Sequence, residues 1–79
     1  MSYYIIVFMN THTAMSGEKK LQGMGINFRI MPTPTAITQS CGICIRIEDE
    51  ETIRKIIDED IIQFKGVYKR ENGGYELIK

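Results

Sequence analysis

Seven residues near the start of the chain, YYIIVFM from Tyr3 to Met9, constrain the fold more than any other stretch. They are apolar or aromatic at odd and even positions alike. Successive side chains of a strand point to opposite faces of its sheet. A segment apolar at both parities is therefore covered on both sides, or central in a sheet. A chain of 79 residues has little material with which to meet that demand. A domain of this size buries only about 60 % of the surface its unfolded form exposes, which argues against a deep, enclosed active-site cavity. Residues 1–79 are expected to make a single domain.

The segments that follow alternate in period. Asn10, Thr11 or Thr13 can each cap a helix, in which Ala14, Gly17, Leu21 and Met24 recur at spacings of three and four as one buried stripe. Gly25 stops that helix. INFRIM, residues 26–31, reads as a second strand, ended by Pro32 because proline cannot donate to a ladder. GICIRI, residues 42–47, alternates cleanly, with Ile43, Ile45 and Ile47 on one face and Cys44 and Arg46 on the other. EDEETIRKIIDEDI is a second amphipathic helix with Ile53, Ile56, Ile57 and Ile61 inward. QFKGVYK and YELI flank RENGG as a closing hairpin. The order β-α-β-β-α-β predicts an α+β fold, a ferredoxin-like split βαβ sandwich with a short extra C-terminal strand.

Composition argues against some partners. Ten basic residues balance ten acidic ones, which argues against a dedicated nucleic-acid surface and against a polybasic membrane-binding patch. YYIIVFM is too short for a membrane span and lacks the layout of a signal peptide, so a cytoplasmic protein is expected. The two cysteines lie within one four-residue window and do not make the disulfide framework of a small secreted domain. Near-zero net charge on a small domain also favours a homodimer.

That window ends PTPTAITQSCGIC, residues 32–44, where two prolines and a run of hydroxyl residues lead into C-x-x-C. In the split arrangement, strands one and two are parallel with strand three antiparallel between them. The NTHT start of the first helix, the PTPTAITQS loop and Cys41 then meet at one end of the sheet. A helix start offers unpaired N–H groups and about half a positive charge, and such a setting lowers a cysteine pKa from about 8.5. His12, the sole histidine, could bond the sulfur or relay its proton. The dithiol interpretation is weaker, since residues three apart on a strand stand roughly 10 Å apart, while a disulfide needs Cα atoms within about 7 Å. Cys44 is expected to pack as a small apolar residue. Cys41, Cys44 and His12 supply only three of the four ligands of a structural zinc site, so no metal or other cofactor is expected.

Residues 3–47 resemble the Putative Se/S carrier protein-like family, small domains long regarded as of unknown function. The matching elements are Thr11-His12, Glu18-Lys19, Gly25, Pro32-Thr33-Pro34, Ser40-Cys41-Gly42 and Arg46. The spacing from Pro-Thr-Pro to Ser-Cys-Gly is the most specific of these. Three positions depart from the family pattern. Thr35-Ala36 stands where Arg-Glu usually follows the prolines, Thr13 replaces a second histidine, and Cys44 replaces a small apolar residue.

The resemblance implies a carrier rather than an enzyme. Cys41 would hold a persulfide or selenopersulfide, in sulfur transfer or selenium metabolism, with His12 as proton relay. Thr11, Thr13, Pro32, Thr33, Pro34, Ser40 and Gly42 would surround the cargo, and the partners would be sulfur or selenium donor and acceptor proteins. Two other classes remain open. One is a non-catalytic ferredoxin-like interaction or ligand-sensing domain, in which Cys41→Ser leaves partner binding intact. The other is a Cys41/Cys44 dithiol redox protein, which requires an intramolecular disulfide.

Overall fold

The computed structural model describes residues 2–37 and 42–79. Its elements are β1 (Tyr3–Val7), α1 (Thr11–Gly23), β2 (Arg29–Pro32), β3 (Ile43–Ile47), α2 (Glu50–Asp58), β4 (Gly66–Glu71) and β5 (Gly74–Leu77). The five strands form one antiparallel sheet in the order β2-β3-β1-β4-β5. β1 is central, as an opening strand apolar at both parities must be. Because β3 is antiparallel to both β1 and β2, those two run parallel with β3 between them.

Both faces of β1 are filled. Tyr4, Ile6 and Phe8 point to the helices and join Ile45, Ile47 and Val67 with Ala14, Leu21, Ile53 and Ile56 in the main core. Ile5 and Val7 point the other way, where with Cys44 they form a second, smaller cluster covered by Tyr3, Met31, Ile37, Tyr68 and Tyr75. The Tyr4 hydroxyl is carried under α2 and donates to Glu50 Oε1 at 3.0 Å, which ties the start of α2 to the central strand.

Local chemistry sets the element ends. Asn10 caps α1, and its Oδ1 accepts from the Thr13 amide at 2.9 Å. At the far end Gly25 adopts φ 72°, its N–H reaching the Gln22 carbonyl and that of Ile26 the Leu21 carbonyl. This is the Schellman closure, with Ile26 returning its side chain to the core beside Leu21. The closure corrects two expectations. Met24 is the C-cap and is exposed rather than part of the buried stripe. Residues 26–28 complete the helix end, so the second strand begins at Arg29 instead of Ile26.

α2 is shorter than the acidic run around it. Asp49 caps it, accepting from the Glu51 amide and the Thr52 hydroxyl. The same Schellman bonds close it, from Asp60 to Ile57 and from Ile61 to Ile56, with Asp60 held at φ 51°. Asn72-Gly73, both at positive φ, turn β4 into β5 as a two-residue hairpin.

Candidate functional site at the end of the sheet

Three chain segments converge where β1 and β2 end and β3 and β4 begin. Val7 lies opposite Cys44 and Gly66, and Met31 opposite Cys44, so this end is shared by all four strands. α1 leaves it from Asn10. The ladder between β2 and β3 runs one step past the strands, the Thr33 N–H donating to the Gly42 carbonyl at 3.3 Å. Gly42 is thereby fixed beside Thr33.

Cys41, Ser40 and Thr38 lie outside the described residues, and the structure describes the residues on either side of them. Before it, Pro34 to Ile37 make a turn closed by the Ile37 N–H on the Pro34 carbonyl at 3.0 Å. Thr35 and Ala36 are the exposed corners of that turn. Ile37 packs on the Ile5, Val7 and Cys44 cluster, which carries this part of the loop onto the face away from the helices. No pattern in the loop marks Ile37 as a packing residue, except that it is the one large aliphatic side chain between Pro32 and Gly42.

At the start of α1 the groups are already partly engaged. The Thr13 hydroxyl donates to the Asn10 carbonyl at 2.9 Å, and its N–H goes to the Asn10 side chain. The first helical bond runs from the Ala14 N–H to the Asn10 carbonyl. The amides of Thr11 and His12, ahead of it, have no acceptor within the helix. His12 is exposed and lines a shallow groove with Ser16, Gly17 and Lys20 of α1 and Ile61 to Gln63 of the α2–β4 connection. Its described neighbours are therefore on the helix side of the sheet, across from Ile37.

The second thiol is differently placed. Cys44 is fully buried on the face opposite the helices, its Sγ 3.8 Å from the Pro32 carbonyl oxygen. A cysteine so enclosed behaves as a small hydrophobe rather than a nucleophile. The zinc and dithiol interpretations both need Cys41 and so fall outside the described residues. Thr33 and Arg46 each hold an unusual group: the Thr33 hydroxyl oxygen and Arg46 Nε are buried without a hydrogen-bond partner among the described residues. A buried polar atom left unsatisfied costs about 1–3 kcal/mol, so an orphan hydroxyl next to the Gly42 ladder bond calls for a function.

The Putative Se/S carrier protein-like family matches residues 3–69, more than four-fifths of the chain. The chain belongs to that family. The match includes the Thr11-His12 helix start, the Pro32-Thr33-Pro34 loop and Ser40-Cys41-Gly42, and runs into β4 as far as Lys69. For this Se/S carrier-like protein, no curated protein and no solved structure gives a match. No helix among its described residues is long and apolar enough to cross a membrane.

Proposed function

We propose that this protein carries sulfur or selenium on Cys41, receiving it from a donor protein and handing it to an acceptor. Family membership over residues 3–69 is the observation that carries this proposal. The Cys41 thiolate attacks the outer sulfur or selenium of a donor persulfide or selenopersulfide. A new bond forms from Cys41 to that atom, the donor's bond to it breaks, and the donor leaves as a thiolate. The transferred atom keeps its oxidation level, so no external oxidant is needed. Delivery is the same exchange in reverse on the acceptor.

Three features of the sheet end support the assignment. The ladder bond from Thr33 to Gly42 anchors the residue next to Cys41. The Thr33 hydroxyl, buried and without a partner among the described residues, is a donor for the anionic outer atom. The helix start contributes the unpaired amides of Thr11 and His12 at the same end of the sheet. Ser40, Pro32 and Pro34 are assigned to the same site, with His12 as proton relay from the helix side of the sheet, where its described neighbours lie. Cys44 takes no part, because it is packed against Ile5 and Val7. A ferredoxin-like sandwich, a cytoplasmic location and a homodimer belong to the same proposal.

The test is intact mass after incubation with a cysteine desulfurase and either cysteine or selenocysteine, which load the donor as a persulfide or selenopersulfide. Wild type and Cys44→Ala should each gain one chalcogen atom that dithiothreitol removes. Cys41→Ala should gain none. An adduct that survives Cys41→Ala, or no adduct on wild type, removes the proposal.

A further inference from the structure

We propose that the sheet face turned away from the helices binds single-stranded nucleic acid, laid across the strands along the row Arg29, Arg46, Tyr3, Arg70 and Tyr75. Each strand contributes one member. Arg29 on β2 lies directly opposite Arg46 on β3, Tyr3 on β1 opposite Arg70 on β4, and Arg70 opposite Tyr75 on β5. The row bridges β3 and β1 by stacking, with the Arg46 guanidinium 3.8 Å from the centre of the Tyr3 ring. Arg70 stacks in the same way on Tyr75 at 4.7 Å. At a strand spacing of about 4.8 Å the row is roughly 19 Å long.

The zero net charge of the chain conceals how its charges are divided. Seven of the ten acidic residues fall between positions 48 and 60, in and around α2. The strand acids Glu71 and Glu76 share their parity with Lys69 and Val67, on the helix side. No strand residue on the opposite face is acidic. Glu48, just past β3, pairs with Arg46 at 3.0 Å. Among the described residues, Arg29 and Arg70 form no ion pair. Arg29 and Arg46 are like charges set directly across a ladder, and since Glu48 engages Arg46, Arg29 is the member of that pair without an acidic partner among the described residues.

The chemistry of the row selects the occupant. It alternates cations with planar groups, and the guanidinium forks are themselves planes on which bases stack. Phosphates with bases between them match both features. A second copy docked face to face would set arginine against arginine, and an acidic peptide would leave the stacked tyrosine edges without a counterpart.

The experiment is anisotropy of a fluorescein-labelled oligouridylate of about twelve nucleotides, titrated with wild-type protein from roughly 50 to 200 mM salt. Three phosphate contacts give an expected log–log salt slope of about −2, at about −0.7 per contact. Arg29→Gln with Arg70→Gln should reduce the slope to about −0.7. Tyr75→Leu should weaken binding about tenfold with the slope unchanged, and Cys41→Ala should bind like wild type. Arg29 is exposed at an edge strand, so Arg29→Gln alone, checked by circular dichroism, must lower the slope by about 0.7 even if the double variant unfolds. No binding at the lowest salt overturns the proposal. So does equal displacement by polyglutamate, a slope indifferent to the arginines, or a dimer that dissociates on Arg29→Gln.

Discussion

The two faces of the central strand differ in kind. Toward the helices, Tyr4, Ile6 and Phe8 belong to a core of eleven buried residues among those described, drawn from both helices, from three strands and from the α2–β4 connection. On the other side, among the described residues, Ile5 and Val7 meet one further buried residue, Cys44, under a cover of half-buried side chains that includes Ile37 of the loop. A hydrophobic face closed by helices supplies stability. A face closed by tyrosines, arginines and a loop tip is thin enough to be rearranged by a partner. The Pro34–Ile37 turn and the arginine row both belong to the thin side.

The largest contrast should come from truncating each side in turn. Phe8 is fully buried on the helix face, and Phe8→Ala should destabilise by about 3–5 kcal/mol. That is enough to unfold a domain whose total stability is on the order of 5 kcal/mol. Ile37→Ala, on the thin side, should lose about 1 kcal/mol, because the side chain is only partly buried and the loop can settle. Urea midpoints for the two variants decide the matter. Equal losses would make the second cluster a structural core rather than a cover.

Overpacking the helix side comes next. A Cβ built on Gly17 would lie 2.9 Å from Phe8 Cε1 and 3.1 Å from Cζ. Glycine to alanine inside a helix normally gains up to about 1 kcal/mol. Here the ring it meets is fully enclosed, and forcing it aside costs about 1–3 kcal/mol. Gly17→Ala should therefore lower the thermal midpoint. A rise would show that Phe8 has room to move and that the helix face is as soft as the other.

The faces can also be told apart by alkaline titration. Burial, reinforced by the hydrogen bond to Glu50, raises the Tyr4 phenol above its ordinary value near 10. Burial, followed by the neighbouring Tyr3, does the same for Tyr75 on the opposite face. A folded-state pKa above the unfolded one means that the native protein holds the proton longer. The stabilisation is full below pH 10 and is lost as pH rises through the folded value. Tyr4→Phe and Tyr75→Phe should each flatten the fall of thermal midpoint above pH 10. An unchanged fall in Tyr4→Phe would show that the contact to Glu50 does not couple to folding.

These contrasts explain what was legible in the residues alone. YYIIVFM announces a central strand because burial on both faces leaves a mark at both parities. Asn72-Gly73 announces its hairpin because both residues must take positive φ. The end of α1 was harder to place. Gly25 gives the stop, but the Schellman closure uses Ile26 to finish the helix, so residues 26–28 look like strand and act as cap. The resemblance located Cys41 within its loop, while the direction of that loop depends on the single side chain of Ile37, which no periodicity reveals. The arginine row was illegible for a related reason. Its members lie far apart in sequence, and register alone brings Arg29, Arg46 and Arg70 into line. Whole-chain charge then pointed away from it, because α2 holds the compensating acids.

The smallest change joins the loop to the row. Thr35 and Ala36, at the exposed corners of the Pro34–Ile37 turn, occupy the places where the family usually has arginine and glutamate. Neither packs in a core cluster, so Thr35→Arg with Ala36→Glu should alter stability by less than about 0.5 kcal/mol. Ala36 lines a cleft of about 370 Å³ together with Arg70, Tyr68 and Tyr75. A carboxylate introduced there falls beside an arginine of the row that has no acidic partner among the described residues. Ala36→Glu alone should thus remove close to one phosphate contact, reducing the salt slope of oligonucleotide binding by about 0.7 while the thermal midpoint stays put. If the slope does not move, the loop tip and the row are electrostatically separate, and the thin face is two surfaces rather than one.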